Sequence, residues 1–221
     1  MHPVAYSARY EAEGRNRLTV FFRMLVAIPW IIVAMFWGLA AYFAVIFAWF
    51  ALVFTGRYPD GLYNFNAGFI RFMNRVNGFY YLLTDEWPPF DGGDDYDYPV
   101  RMLIPEPQES YSRAKVFFRF FLAIPVMILA YVMNIILQLV GVVSWFVLLF
   151  TAKLPDGLYK PLRAAAAYSA KATAYYFLIT EDWPPFWMDE EEEAPRIDGG
   201  TAGTEVVTPP PPPAPPAAPA G

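Results

Sequence analysis

The chain has no cysteine and a single histidine in 221 residues, and only 17 % of its residues are charged. The first absence excludes a disulfide framework, a thiolate zinc site, an iron–sulfur cluster and a cysteine nucleophile. The second removes most imidazole chemistry. The scarcity of charge leaves too little polar surface for a water-soluble globule of this length, because 57 % of the residues are hydrophobic and 19 % aromatic. The few charges are segregated by sign: fifteen of sixteen Lys and Arg lie between Arg9 and Lys171, and nine of twenty-one acids between Glu181 and Glu205.

A duplication organises what is present. Adding 96 to a residue number in the first half lands on a like residue in the second. Arg17, Phe21, Phe22, Arg23, Ala27, Ile28 and Pro29 return as Arg113, Phe117, Phe118, Arg119, Ala123, Ile124 and Pro125. Trp49, Phe50 and the Pro59-Asp-Gly-Leu-Tyr63 run return as Trp145, Phe146 and Pro155 to Tyr159, and Trp87-Pro-Pro-Phe90 as Trp183 to Phe186. The units are residues 1–96 and 97–188, followed by an acidic and then Pro/Ala-rich tail, 189–221, whose composition cannot bury a core and predicts disorder with polyproline character.

Each unit carries an uncharged run of 31 residues, Met24 to Phe54 and Phe120 to Phe150. Both exceed the length of a transmembrane helix, and the first starts too late and runs too long for a secretory signal. As a straight helix each would reach about 46 Å against a hydrocarbon thickness of about 30 Å. Basic residues flank both ends of both runs: Arg15, Arg17, Arg23 and Arg57, then Arg113, Lys115, Arg119 and Lys153. Positive residues prefer the cytoplasmic face, so this placement favours two re-entering hairpins with cytoplasmic termini. A bent single pass per unit, which would make the repeats inverted, is the alternative. Gly38 offers a bend in the first run, with Asn134 as its counterpart.

After each run, Asp60 and Asp156 sit where a turn hands over to a helix and are read as its caps rather than as catalytic carboxylates. The spacing of Leu62, Phe65, Phe69, Met73, Val76, Tyr80 and Leu83 predicts an amphipathic helix over 62–83 with Arg71 and Arg75 opposite. Residues 158–179 repeat it, with Lys160, Arg163 and Lys171 on the basic side. Such a helix either lies among anionic headgroups or packs back on the apolar run. Acids and a Trp-Pro-Pro-Phe motif end each unit; the prolines stop the helix, and Trp87 and Trp183 suit a membrane interface. Tyr98 to Ile104 and Val4 to Tyr10 are β-prone and predicted to pair as a ribbon.

The phrases Arg17-Leu-Thr-Val-Phe-Phe-Arg23, Ala27-Ile-Pro29, Phe54-Thr-Gly-Arg-Tyr-Pro-Asp-Gly61, Leu83-Thr-Asp-Glu-Trp-Pro-Pro-Phe90 and Tyr98-Pro-Val-Arg101, in this order, resemble a bacterial membrane family. It is the domain of unknown function numbered 4389, seen mainly in actinobacteria and often as tandem copies. The resemblance covers residues 1–188, and the second copy departs from it at Lys153-Leu154 and from Pro161 to Ala167. It implies an integral membrane protein and supplies no catalytic residue, ligand or cofactor.

The sequence therefore predicts a mainly α membrane protein of two tandem repeats. Each has a long hydrophobic hairpin or bent transmembrane segment, an amphipathic helix and a short β-prone entry. Its partners are the bilayer, through anionic headgroups at Arg17, Arg23, Arg57, Arg71, Arg75, Arg113, Arg119, Lys153, Arg163 and Lys171, and a protein that reads the tail. No nucleic acid and no cofactor are implied, and a homo-oligomer is left open. A non-enzymatic structural or scaffold role explains the most residues. A small transporter or channel-like oligomer is the alternative, disfavoured because the runs hold no ionisable group and only Asn134 and Gln138 as a notable polar pair. A lipid-converting enzyme using Asp85, Glu86, Glu181 and Asp182 ranks last.

Overall fold

The computed structural model describes residues 2–93 and 98–185. The tail at 189–221 and Phe186 of the second Trp-Pro-Pro-Phe motif lie outside the described residues. The elements are β1 (Ala5–Ala8), α1 (Arg17–Val26), α2 (Ile28–Thr55), α3 (Asp60–Tyr80), β2 (Val100–Leu103), α4 (Arg113–Phe117), α5 (Arg119–Thr151) and α6 (Asp156–Tyr176).

The apolar runs do not fold back. Each is one long helix, α2 of 28 residues and α5 of 33, and the hairpin expectation is corrected accordingly. Gly38 and Asn134 are interior helical positions, with no proline or turn at either of them. The interruptions come early instead. Ala27 separates α1 from α2 two residues before Pro29, and Phe118 separates α4 from α5, while Pro125 is accommodated inside α5. Helices Arg17–Thr55 and Arg119–Thr151 are each long and apolar enough to cross a membrane, yet only 17 % of the most apolar stretch of each is buried within the molecule.

Caps account for the helix ends. Asn16 accepts from the Leu18 and Thr19 amides at 3.0 and 3.4 Å, and Ser112 takes the equivalent place before α4. Asp60 and Asp156 are not caps: Pro59 and Pro155 hold that position without a side-chain bond, and the aspartates occupy the first helical turn, where a carboxylate complements the helix dipole. Helices α3 and α6 close with a six-residue wrap in which Leu83 donates to Gly78 O at 2.9 Å and Ile179 to Ala174 O at 3.0 Å. The wrap requires a left-handed residue, and two buried leucines fill it, Leu82 (φ 67°) and Leu178 (φ 62°).

The predicted ribbon forms: β1 pairs antiparallel with β2, Tyr6 opposite Met102 and Ala8 opposite Val100. Tyr6, Val100 and Met102 are buried, and Ser7 and Arg101, paired across the ribbon on its other face, are half-buried. Each strand lies on the amphipathic helix of the other repeat. Val100 presses so closely on Gly78 of α3 that a Cβ there would lie 2.6 Å from a valine methyl, and Tyr63 donates to Pro105 O at 2.6 Å. Tyr159 of α6 makes the matching bond to Ala8 O at 2.5 Å. On the other side α3 runs antiparallel to α2, with Trp30 against Phe79 and Trp37 against Phe72.

Helices α3 and α6 are therefore sandwiched, packed on the apolar helices on one side and under the ribbon on the other. Of the two placements the periodicity allowed, the structure adopts the packed one; most of the α3 and α6 side chains are buried, Asn66, Asn74, Arg75 and Lys171 among them.

Candidate functional site

The two equivalent arginines at the roots of the long helices, Arg23 and Arg119, are buried, 2 % and 6 % exposed. The helix-closing wraps explain where they point, because each wrap turns the next backbone carbonyls inward. Arg23 Nη1 donates to the carbonyls of Phe79 and Thr84, the latter at 2.9 Å, and its guanidinium lies 4.4 Å from the Phe79 ring centre. Arg119 repeats the arrangement, donating Nη2 to the Thr180 carbonyl with its guanidinium 3.7 Å over Tyr175.

Their compensation differs. Asp85 pairs with Arg23, accepts from Arg15 at 3.3 Å, and takes the Asn16 amide at 3.0 Å. Glu11 joins the same cluster through Arg15, and burial pushes its carboxyl above the usual range. In the second repeat Tyr111 replaces Arg15 and donates to Ile179 O at 3.3 Å, the bond equivalent to that from Arg15 to Leu83 O at 2.9 Å. Glu181, one methylene longer than Asp85, takes the Ser112 amide at 2.6 Å and Lys115 at 3.4 Å. Among the described residues no carboxylate stands within ion-pair distance of Arg119.

Beside Arg119 is an open, mainly apolar groove of about 370 Å³, formed by Val45, Trp49 and Phe50 of α2, Phe120 of α5, and Tyr176. Arg119 and Tyr176 are among its lining residues, and Arg119 Nε and the Tyr176 hydroxyl are themselves buried without a hydrogen-bond partner, as Arg23 Nε is in the first repeat. Burial raises the Tyr176 phenol to about 12, so it is a proton donor at neutral pH. At the equivalent place in the first repeat Gly141 stands for Val45, and the Tyr81 ring lies against it.

The predicted headgroup residues separate into two sets. Arg17, Arg57, Arg113 and Lys153 are exposed at the helix ends. Arg113 donates to Thr55 O at 3.3 Å, so it neighbours Arg57, and Lys153 pairs with Glu13 at 2.7 Å, near the root of α1. Arg23, Arg75, Arg119 and Lys171 are withdrawn into the protein, the three arginines facing carbonyls, carboxylates and rings. Arg75 reaches Asp91 at 3.0 Å. Arg71 and Arg163 are half-buried. Trp87 stays largely exposed while stacking on Trp30 and Phe79, and Trp183 is also exposed. Periodicity had pointed to none of the partners of these arginines; a repeat-on-repeat comparison of Glu11, Arg15 and Asp85 with Pro107, Tyr111 and Glu181 carries the signal.

Compared with known protein families, residues 17–91 and 113–188 match the family described as a domain of unknown function, DUF4389. The chain belongs to that family. The two DUF4389 segments fall one in each repeat and together cover more than half of the chain. Among curated proteins and among solved structures nothing matches it. Each DUF4389 unit runs from the arginine at the start of α1 or α4 through the long helix to the Trp-Pro-Pro motif, so the buried arginine and its carbonyl cradle lie wholly inside it.

Proposed function

We propose that this DUF4389 chain is an integral membrane protein of non-enzymatic, structural or scaffold type, embedded in the inner leaflet, with the acidic and proline-rich tail recruiting a partner. The observation that carries the membrane part is the outward display of the apolar helices. Phe36, Phe43 and Phe47 of α2 and Phe146 and Phe150 of α5 are more than half exposed, an arrangement that water penalises and acyl chains do not.

The orientation we infer is lengthwise in one leaflet. The segment from Val100 to Pro105 runs along α3, which is antiparallel to α2. Were α2 upright, the open edges of the ribbon, with Ser7, Arg9 and Arg101, would sit at hydrocarbon depth, where unpaired backbone is not tolerated. Lying flat also sets Arg17, Arg57, Arg113 and Lys153 at one headgroup level, which accounts for basic residues at both ends of both runs. Asp85 argues against acid–base chemistry on lipid, since its oxygens are held by Arg15, Arg23 and the Asn16 amide. Asn134 and Gln138 bond to one another at 2.7 Å on an exposed face, which suits a contact between copies more than an ion pathway.

The absence of native cysteine makes the test direct. Arg17→Cys, Arg57→Cys, Arg113→Cys and Lys153→Cys, each made singly, are expected to react with an impermeant thiol reagent from the same side of sealed vesicles. Labelling of Arg17→Cys and Lys153→Cys from one side and of Arg57→Cys and Arg113→Cys from the other would establish upright helices instead. Release of the protein into plain buffer by carbonate would end the membrane reading altogether. A pulldown with the segment from residue 189 that recovers no protein, with no effect of deleting the tail in cells, would remove the recruiting role.

A further inference from the structure

We propose that α5 carries the contact face of a symmetric homodimer, on which Asn134 and Gln138 of one chain hydrogen-bond the same two residues of a second copy. The inference rests on the membrane reading above, and not on how the helices lie in the bilayer. Asn134 and Gln138 are both exposed, in line with Met127 (52 % exposed), Tyr131 (70 %) and Val142 (54 %). The steps along this series are of three and four residues, so the five side chains form one stripe on the helix.

Acyl chains suit the apolar members of the stripe and leave the amides unanswered. Gln138 Nε2 donates to Asn134 Oδ1 at 2.7 Å. That bond uses one N–H and one lone pair, whereas each amide offers two of both. Among the described residues neither Asn134 Nδ2 nor Gln138 Oε1 has a protein partner. Leaving a donor and an acceptor in that state within hydrocarbon is unfavourable. A lipid ester carbonyl could accept from Asn134 but has nothing to donate to Gln138. The same pair turned about a twofold axis answers both groups at once, with Asn134 Nδ2 of each copy donating to Gln138 Oε1 of the other.

The first repeat lacks this face. Gly38 and Tyr42 hold the equivalent positions, and the Phe69 ring of α3 lies over Gly38, where a Cβ would come within 3.1 Å of it. In α6 the equivalent of Phe69 is Ala165, whose methyl leaves Asn134 exposed. One face per chain closes a pair and stops there, because an isologous contact uses the same patch on both copies.

The experiment is Förster transfer between full-length chains in phosphatidylcholine vesicles that hold no other protein. Donor or acceptor dye is attached at Ser110→Cys, an exposed loop position in a chain without native cysteine. Transfer is followed as added lipid dilutes the protein, and its dependence on acceptor fraction is expected to be that of a dimer. Asn134→Leu combined with Gln138→Leu should weaken association by about tenfold. Exchange of the amides, Asn134→Gln with Gln138→Asn, should keep it, and Val143→Leu, exposed on another side of α5, should leave it unchanged. Leucine is a strong helix former and both sites are exposed, so the double variant tests the contact and not the fold. The proposal is overturned if the native chain is monomeric at every dilution, which would assign the amides to lipid or to a different protein. It is equally overturned if the leucine variant associates like the native chain, which would place the contact elsewhere. A chain that resists carbonate yet stays monomeric overturns the dimer alone, whereas release by carbonate removes the membrane reading and the dimer with it.

Discussion

The indole N–H of Trp49, late in α2, donates to the backbone carbonyl of Val116 at 3.0 Å, tying the end of one repeat's long helix to the start of the other's. Its equivalent Trp145 donates to Val20 at 2.8 Å, and Val20 is the residue 96 positions before Val116. The reciprocal pair sets α2 and α5 antiparallel and makes each repeat depend on its neighbour. Helices α1 and α4 are thus exchanged across the pseudo-twofold, as the two strands are.

Trp49→Phe and Trp145→Phe each remove the donor and leave a carbonyl in the interface between helices without it. Each is expected to lower stability by about 1–2 kcal/mol, read from denaturant unfolding in detergent. The two bonds sit at opposite ends of the helix pair, so the double variant should lose the sum to within about 0.5 kcal/mol. A much larger loss would mean that the ends are coupled through the helices.

The carboxylates at equivalent positions should differ sharply. Asp85→Asn removes the counter-ion of the buried Arg23 and leaves Arg15 with Glu11 alone, and is expected to cost about 3–5 kcal/mol. Glu181→Gln keeps an acceptor for the Ser112 amide and loses an ion pair with an exposed lysine and a longer-range attraction to Arg119, so it is expected to cost less than Asp85→Asn. Thermal unfolding of the two variants side by side measures the difference.

Left-handed helix ends give a pair of opposite sign. Gly56 closes α2 at φ 72°, and Ala152 closes α5 at φ 56°. Gly56→Ala should destabilise by about 1 kcal/mol through backbone strain, since its new Cβ meets Arg113 and Tyr111 only at ordinary contact distance. Ala152→Gly should relieve a similar strain and raise the unfolding midpoint.

Alkaline stability should depend on Tyr58. Burial lifts its phenol from 10.0 to about 12, with the Asn66 amide, at 2.8 Å, pulling the other way. Between those values the folded chain keeps a proton that the unfolded chain releases, so stability falls as pH rises. The slope for this one residue is about 1.4 kcal/mol per pH unit. Tyr58→Phe should flatten the loss, measured as the change in unfolding free energy between about pH 9 and about pH 11.

Much of the fold was legible in the sequence. The register of 96, the apolar runs and the positions of α3 and α6 follow from repetition, periodicity and turn chemistry, and the pairing of Val4–Tyr10 with Tyr98–Ile104 is suggested by their equivalent places in the two repeats. The hairpin did not follow, because charge at both ends of a run constrains only which surface those ends reach; a re-entering loop and a helix lying flat place them alike. The caps assigned to Asp60 and Asp156 missed by one residue, since a proline with extended backbone can itself precede the first turn.

The sequence by itself determined the duplication, two long apolar helices, and the amphipathic helices that follow them. It also placed one arginine at each helix root. Only tertiary structure decided that Arg23 meets Asp85 while Arg119 meets the Thr180 carbonyl and the Tyr175 ring, that α3 and α6 are covered on both sides, and that each repeat lends its first helix to the other. Those outcomes rest on contacts between residues some sixty or more positions apart, and no spacing within a single helix records which partner will arrive at its face.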